Sequence, residues 1–276
     1  MKAPQPAGSP IDANRYAGWI SGFSGYRHTV TEQKLERWLA QFKADHLDLA
    51  ARVLDCVEFI PYEGVGSAFK AILTGLPGWN KKESLRSGKW RFVPFSVSAG
   101  ESGDTMLHQF RIANGLDGST HGKMFVHVRD LLGERLGPDD TVVFVDDFAG
   151  TGNQVCDAWG NDIAELLPEG PRTYLVLVAA SQKAREIISE KTGLTVAPSF
   201  ELTESDNIFS NACTHFGLPD KEALLEFCNR ADRKFPKGYG DCGFVIVFAH
   251  RCPNNSISIL HMNHPKWEAL FRRHDQ

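Results

Sequence analysis

The spacing of apolar positions divides the 276-residue chain into a helical front and an alternating strand–helix remainder. Through residues 29–57, Leu35, Trp38, Leu39 and Phe42, then Ala50, Val53, Leu54 and Val57, recur at three- and four-residue intervals. That period predicts helix, with a break near Asp45 and a capping-box pattern at Thr29-x-x-Glu32. A further short helix is expected over 65–73, and 77–88, rich in Lys, Ser and Gly, reads as a linker. From Lys89 onward, apolar runs at 90–97, 124–128, 141–146 and 173–180 predict strands. Helical stretches are expected between them, near 104–113, 129–136, 153–167 and 182–191. The rest predicts a strand at 194–200, a helix near 219–229, a strand at 243–249, an extended piece at 256–262 and a final short helix. Continuous apolar runs separated by helices indicate an α/β fold, its parallel strands covered on both faces. Three parts are expected: an N-terminal helical cap with no strand of its own (1–88), an α/β core (89–202) and a C-terminal β-containing element (203–276).

Composition narrows the class. Hydrophobic residues make up 42% and charged residues 23%, with a formal net charge of −4, which argues against broad neutralisation of nucleic-acid phosphates. No apolar run approaches the roughly 18 residues of a spanning helix. The start, MKAPQPAGSPIDANRY, has no apolar segment of a secretory signal and reads as a flexible, Pro-rich lead-in. Six cysteines without a Cys-x-x-Cys pair suggest reduced, mostly buried thiols and a cytoplasmic location.

Residues 141–155, TVVFVDDFAGTGNQV, carry the chemistry. Ligands of parallel α/β sheets collect where strands end and helices begin. Asp146 and Asp147 are expected at such an edge, and Gly150, Thr151, Gly152 and Asn153 in the turn that opens the next helix. A glycine-rich helix start offers N–H groups to a phosphate, and two carboxylates before it can accept hydrogen bonds from sugar hydroxyls or hold Mg²⁺ indirectly. These parts describe a receptor for ribose 5-phosphate. The bland alternative is a solvated acidic turn before an ordinary helix. A P-loop NTPase is excluded, because no Gly-Lys-Ser/Thr occurs in the chain.

The stretch resembles the phosphoribosyl-diphosphate (PRPP) motif of type I phosphoribosyltransferases: four apolar residues, two acidic ones, then a Thr/Gly phosphate loop. The resemblance implies that Asp146 and Asp147 hold the ribose hydroxyls and serve as the catalytic positioning pair. It implies that the loop Phe148, Ala149, Gly150, Thr151, Gly152, Asn153 and Gln154 binds the 5-phosphate, with Mg²⁺ accompanying PRPP. The loop departs from the usual pattern: Gly150 stands where Thr is common, Asn153 where Gly or Ala is common, and Gln154 where Thr or Ser is common. Together with SAGESGDTMLHQFRIANGL and the ending GYGDCGFVIVFAHRCPNNSISILHMNHPKWEALFRR, the motif is similar to the phosphoribosyltransferase-like domains of bacterial conflict systems. That likeness implies a role in antiphage defence beside a partner protein from a neighbouring gene.

Two further segments are candidates. In phosphoribosyltransferases the loop after the first sheet strand receives pyrophosphate; here it is Ser98, Ala99, Gly100, Glu101, Ser102, Gly103 and Asp104. An Asp/Ser-capped helix start is the equal alternative. The loop contains no Lys or Arg, so Arg111 or Lys123 would have to reach it from nearby. The C-terminal element offers Asn254, Asn255 and His264 as a hood over an acceptor base; a Pro-Asn turn packed by Trp267 is the alternative. Cys242, His250, Cys252 and His261 match no common zinc spacing, and no resident metal is assigned. Two functions stay open: an enzyme transferring or removing a phosphoribosyl group, and an inactive module that senses a phosphorylated ribose or nucleotide and regulates a partner. Nucleic acid finds little support beyond a groove for a strand end, and a membrane none.

Overall fold

The computed structural model describes residues 11–96 and 102–273. Its strands are β1 (Glu58–Ile60), β2 (Trp90–Pro94), β3 (Thr141–Ala149), β4 (Arg172–Ser181), β5 (Thr195–Leu202) and β6 (Ile246–Phe248). Its α-helices are α1 (Ala13–Gly22), α2 (Glu32–Leu39), α3 (Leu47–Asp55), α4 (Tyr62–Gly75), α5 (Ser102–Ala113), α6 (Asn153–Ala158), α7 (Gln182–Thr192), α8 (Leu218–Ala231) and α9 (Ser258–His261). Short 3₁₀ turns link several of them.

The chain forms two compact units: Met1–Tyr62 with Thr203–Gln276, and Glu63–Leu202. The first unit is discontinuous in sequence. Leu35, Trp38 and Phe42 share one core with Phe227, Ile257, Trp267 and Phe271. The front helices and the C-terminal segment are therefore one body, whereas the apolar periodicity suggests a cap over 1–88 and a separate element over 203–276. The front also holds a strand: β1 pairs in parallel with β6. At three residues before Pro61, β1 is too short to show a period. Asp12 caps α1 by accepting from the Arg15 N–H (3.0 Å), so part of the stretch read as a flexible lead-in is helical. The cap of α2 is Thr31, not Thr29.

The second unit is built on a parallel sheet in the order β2-β3-β4-β5. Val142 and Phe144 join a cluster with Val155 of α6 and Ile188 of α7. Val143 and Val145, on the opposite pleat, are also buried, so β3 is covered on both faces as its continuous apolar run demands.

Five expectations need correction. Residues 124–128 are not a strand: Phe125 makes one bridge to Phe92, and then Asp130 accepts the His127 N–H (3.0 Å), turning the chain into a 3₁₀ segment over Val128–Gly133. That segment stands where helix was expected at 129–136. The helix expected over 153–167 ends at Ala158 and continues as a π turn (Trp159–Ile163) and a 3₁₀ turn, where Gly160, Asn161 and Asp162 are poor helix formers. Residues 256–262 contain α9 rather than an extended piece: Ile257, Ile259 and Leu260 are all buried, without the alternation of a half-exposed strand. The final helix is absent among the described residues, because His264 and Trp267 close a tight turn through reciprocal backbone hydrogen bonds of 2.9 Å. No described helix is long and apolar enough to cross a membrane.

Candidate functional site

The strand β3 runs past the acidic pair to Ala149, so Asp146 and Asp147 lie within it, not at its end. Asp146 is opposite Leu177 of β4 and only 7% exposed, while Asp147 is half-buried. The sheet thus turns two neighbouring carboxylates into unlike groups. Asp146 Oδ1 accepts from Ser102 Oγ (2.8 Å) and from the Asp147 N–H (2.9 Å). Burial first, and the charge of Asp147 second, push the Asp146 carboxyl well above the usual range; the Ser102 hydrogen bond pulls the other way.

Beyond Ala149 the turn is shaped by two constraints. Gly152 has φ of +78°, which favours glycine. A Cβ there would also lie 3.1 Å from Ile188 Cγ1 and 3.2 Å from the Ala184 carbonyl of α7. The turn is anchored from the same side: Ser181 Oγ donates to the Gly150 carbonyl (2.7 Å) and accepts from the Ala184 N–H (2.9 Å), capping α7. Thr151 Oγ1 accepts from the Asn153 N–H (3.3 Å), and Gly152 contributes no side-chain cap to the six-residue α6. Asn153 and Gln154 are exposed at the mouth of the turn, Thr151 is half-buried, and Phe148 is half-buried in the strand that leads there. The turn is thus fixed by its neighbours and carries polar side chains at its rim.

The second candidate loop is only partly described. Ser98, Ala99, Gly100 and Glu101 lie outside the described residues; Ser102, Gly103 and Asp104 form the first turn of α5. A Cβ on Gly103 would fall 2.6 Å from the Phe95 carbonyl, so glycine lets α5 begin against the end of β2 and delivers Ser102 to Asp146. The sequence places Ser102 in a loop of its own; the fold joins it to the acidic pair. Only the long-range approach of α5 to β3 reveals that link. Arg111 donates to the carbonyls of Leu116 (3.2 Å) and Asp117 (3.3 Å) and lies over the Phe125 ring.

The candidate hood residues belong to the other unit and are mostly occupied locally. Asn255 is buried and donates to the Tyr239 carbonyl (2.9 Å). His264 Nε2 donates to the Ala231 carbonyl (2.8 Å), and its Nδ1 accepts from the Lys266 N–H (3.2 Å). Both residues are thus engaged with backbone groups of their own unit. Asn254 is exposed. Among the described residues no group of three or more His, Cys, Asp or Glu side chains is placed to hold an ion.

A parallel α/β unit with an acid pair on its second strand, followed by a glycine turn into a helix, defines a phosphoribosyltransferase-like protein. The chain belongs to the PRTase-CE family, whose model matches residues 35–273. No curated protein matches it. Among solved structures it is similar to orotate phosphoribosyltransferase from Aeropyrum pernix, at 12% identity, over 51% of this chain and 71% of that one, with a TM-score of 0.30.

Proposed function

We propose that Asp146, Asp147 and the 148–154 turn bind PRPP or a related ribose 5-phosphate ligand. The observation that carries this reading is the turn itself: Gly152, confined by its positive φ and by α7, lies in the turn that follows the strand carrying the two adjacent carboxylates. Asp147, half-buried, meets the ribose hydroxyls first. Asp146 joins when a hydroxyl takes the place of Ser102 at Oδ1. Two carboxylates form no cage for Mg²⁺, but they suit an ion that keeps most of its ligands from water and substrate phosphate. When bound, Mg²⁺ neutralises the diphosphate charge. The chain's own part is to position ribose and phosphate for loss of the group at C1, by orientation and electrostatics. The antiphage setting implied by the family resemblance belongs to the same proposal, as does a protein partner.

One observation favours a second reading, a sensing module without turnover. Asp146 is buried, inclined to hold a proton and already hydrogen-bonded to Ser102, so the acidic pair is not two equivalent open carboxylates. Pyrophosphate release from PRPP with Mg²⁺, in the presence of pooled bases, separates the readings. Release that is lost in Asp146→Asn/Asp147→Asn supports the enzyme; binding of PRPP without release supports the sensor. Phage plating on cells that express the chain and its neighbouring genes, with the same double variant as control, tests the defence role.

A further inference from the structure

A separate feature lies wholly within the first unit. A cavity of about 400 Å³ is walled by the end of α8, the turn after it and the segment beyond α9. Arg272 and Arg273 line it on one side, Phe235 and Tyr239 on another, and Asn254 and Asn263 add side-chain amides. The volume falls within the range of small-molecule sites, roughly 300–1,000 Å³.

Arg272 has only a loose ion pair, 3.9 Å from Glu268, and its Nε is buried without a hydrogen-bond partner among the described residues. Asp232, the one acidic wall residue among those described, accepts from the Lys234 N–H (2.8 Å) through one oxygen. Lys34, outside the cavity wall, is pulled down to about 8 by burial first and by Arg272 second, while Glu268 acts the other way. Two guanidinium groups suit phosphate or carboxylate. The Phe235 and Tyr239 rings, 5.5 Å apart between centroids, provide an aromatic wall for a planar group. The backbone around them is fixed: the Tyr239 N–H donates to the Asn254 carbonyl (2.7 Å), and Asn255 holds the Tyr239 carbonyl.

We infer that this cavity is a second ligand site, shaped for a small anion that carries a planar ring, of the nucleoside monophosphate class. It requires nothing of the acidic pair on β3, and its ligand brings its own anion, unlike a neutral base accepting a sugar. The site gives the first unit a nucleotide-responsive role of its own.

Calorimetric titration with AMP, beside adenosine and ribose 5-phosphate, tests the assignment. In Asp146→Asn/Asp147→Asn, where the proposed ribose-phosphate site is disabled, AMP should bind more tightly than either fragment, because adenosine lacks the anion and ribose 5-phosphate lacks the ring. AMP binding should persist in Asp146→Asn/Asp147→Asn and weaken at least tenfold in Arg272→Gln/Arg273→Gln. Asn254→Asp, an exposed change at the rim that adds a negative charge, should weaken it several-fold and decides the matter if the arginine variant fails to fold. The assignment is overturned if AMP does not bind, if folded variants at Arg272/Arg273 and Asn254 keep full affinity, or if binding vanishes with the acidic pair.

Discussion

The two units solve the same problem, satisfying buried backbone, by different means. In the second unit the parallel ladder does most of it, from Trp90↔Thr141 in β2 and β3 to Ser181↔Leu202 in β4 and β5. In the first unit the ladder covers three residue pairs, helices carry most of the backbone bonding, and side chains hold carbonyls between those elements. The indole N–H groups of Trp38 and Trp267 both donate to the Ile259 carbonyl, at 2.8 and 3.0 Å. Ser256 Oγ and Ser258 Oγ donate to the carbonyls of Ile246 (2.7 Å) and Cys228 (2.9 Å), and the Tyr26 hydroxyl donates to that of Arg272 (2.6 Å). A laddered unit distributes its stability over many equivalent bonds and can spare its polar side chains for a ligand. A side-chain-stapled unit concentrates stability in a few large residues.

That contrast is broken most severely at a staple. Trp38→Ala removes a fully buried ring and leaves the Ile259 carbonyl one donor short, for a loss of about 3–5 kcal/mol. Urea unfolding should show the first unit melting early while the sheet unit keeps its own transition; a single unshifted transition would contradict the division of labour. The sheet unit is most sensitive where an element approaches its backbone. Gly103→Ala places a methyl against the Phe95 carbonyl and should cost about 1–3 kcal/mol while displacing Ser102 from Asp146. An unchanged melting temperature there would mean that α5 does not need the close approach.

The smallest effect has the opposite sign. The Asp146 carboxyl is raised in the folded state by burial, so between its ordinary value, about 3.9, and its folded value the folded chain holds more protons than the unfolded one. Stability therefore falls as pH rises through that window. Asp146→Asn keeps an acceptor for Ser102 and removes the buried charge, so it should stabilise by about 1 kcal/mol. The gain should be larger at pH 8 than at pH 5 in thermal melts. Destabilisation at both pH values would show that the carboxylate is fully accommodated in the fold.

Much of the sheet unit is legible in the sequence because β3 and β4 are long apolar runs with no competing local signal, and Gly150-Thr151-Gly152 marks the turn between strand and helix. Local signals fail where side chains capture backbone groups, as Asp130 does at His127. They fail again where burial comes from every side, as around α9. The grouping of the front helices with the C-terminal segment depends on contacts such as Trp38 with Ile259, more than 200 residues apart, which no periodicity records. At the candidate site, residue types and spacing identify Asp146 and Asp147, but their inequality and the part of Ser102 come from the packing of α5 against β2 and β3.

The most direct measurement is calorimetric titration of the whole chain with PRPP, with and without Mg²⁺, in wild type and in Asp146→Asn/Asp147→Asn. Mg²⁺-dependent binding in the wild type, reduced at least tenfold in the folded double variant, is the predicted result. No binding, or equal binding by both proteins, would contradict a ribose-phosphate receptor at the acidic pair.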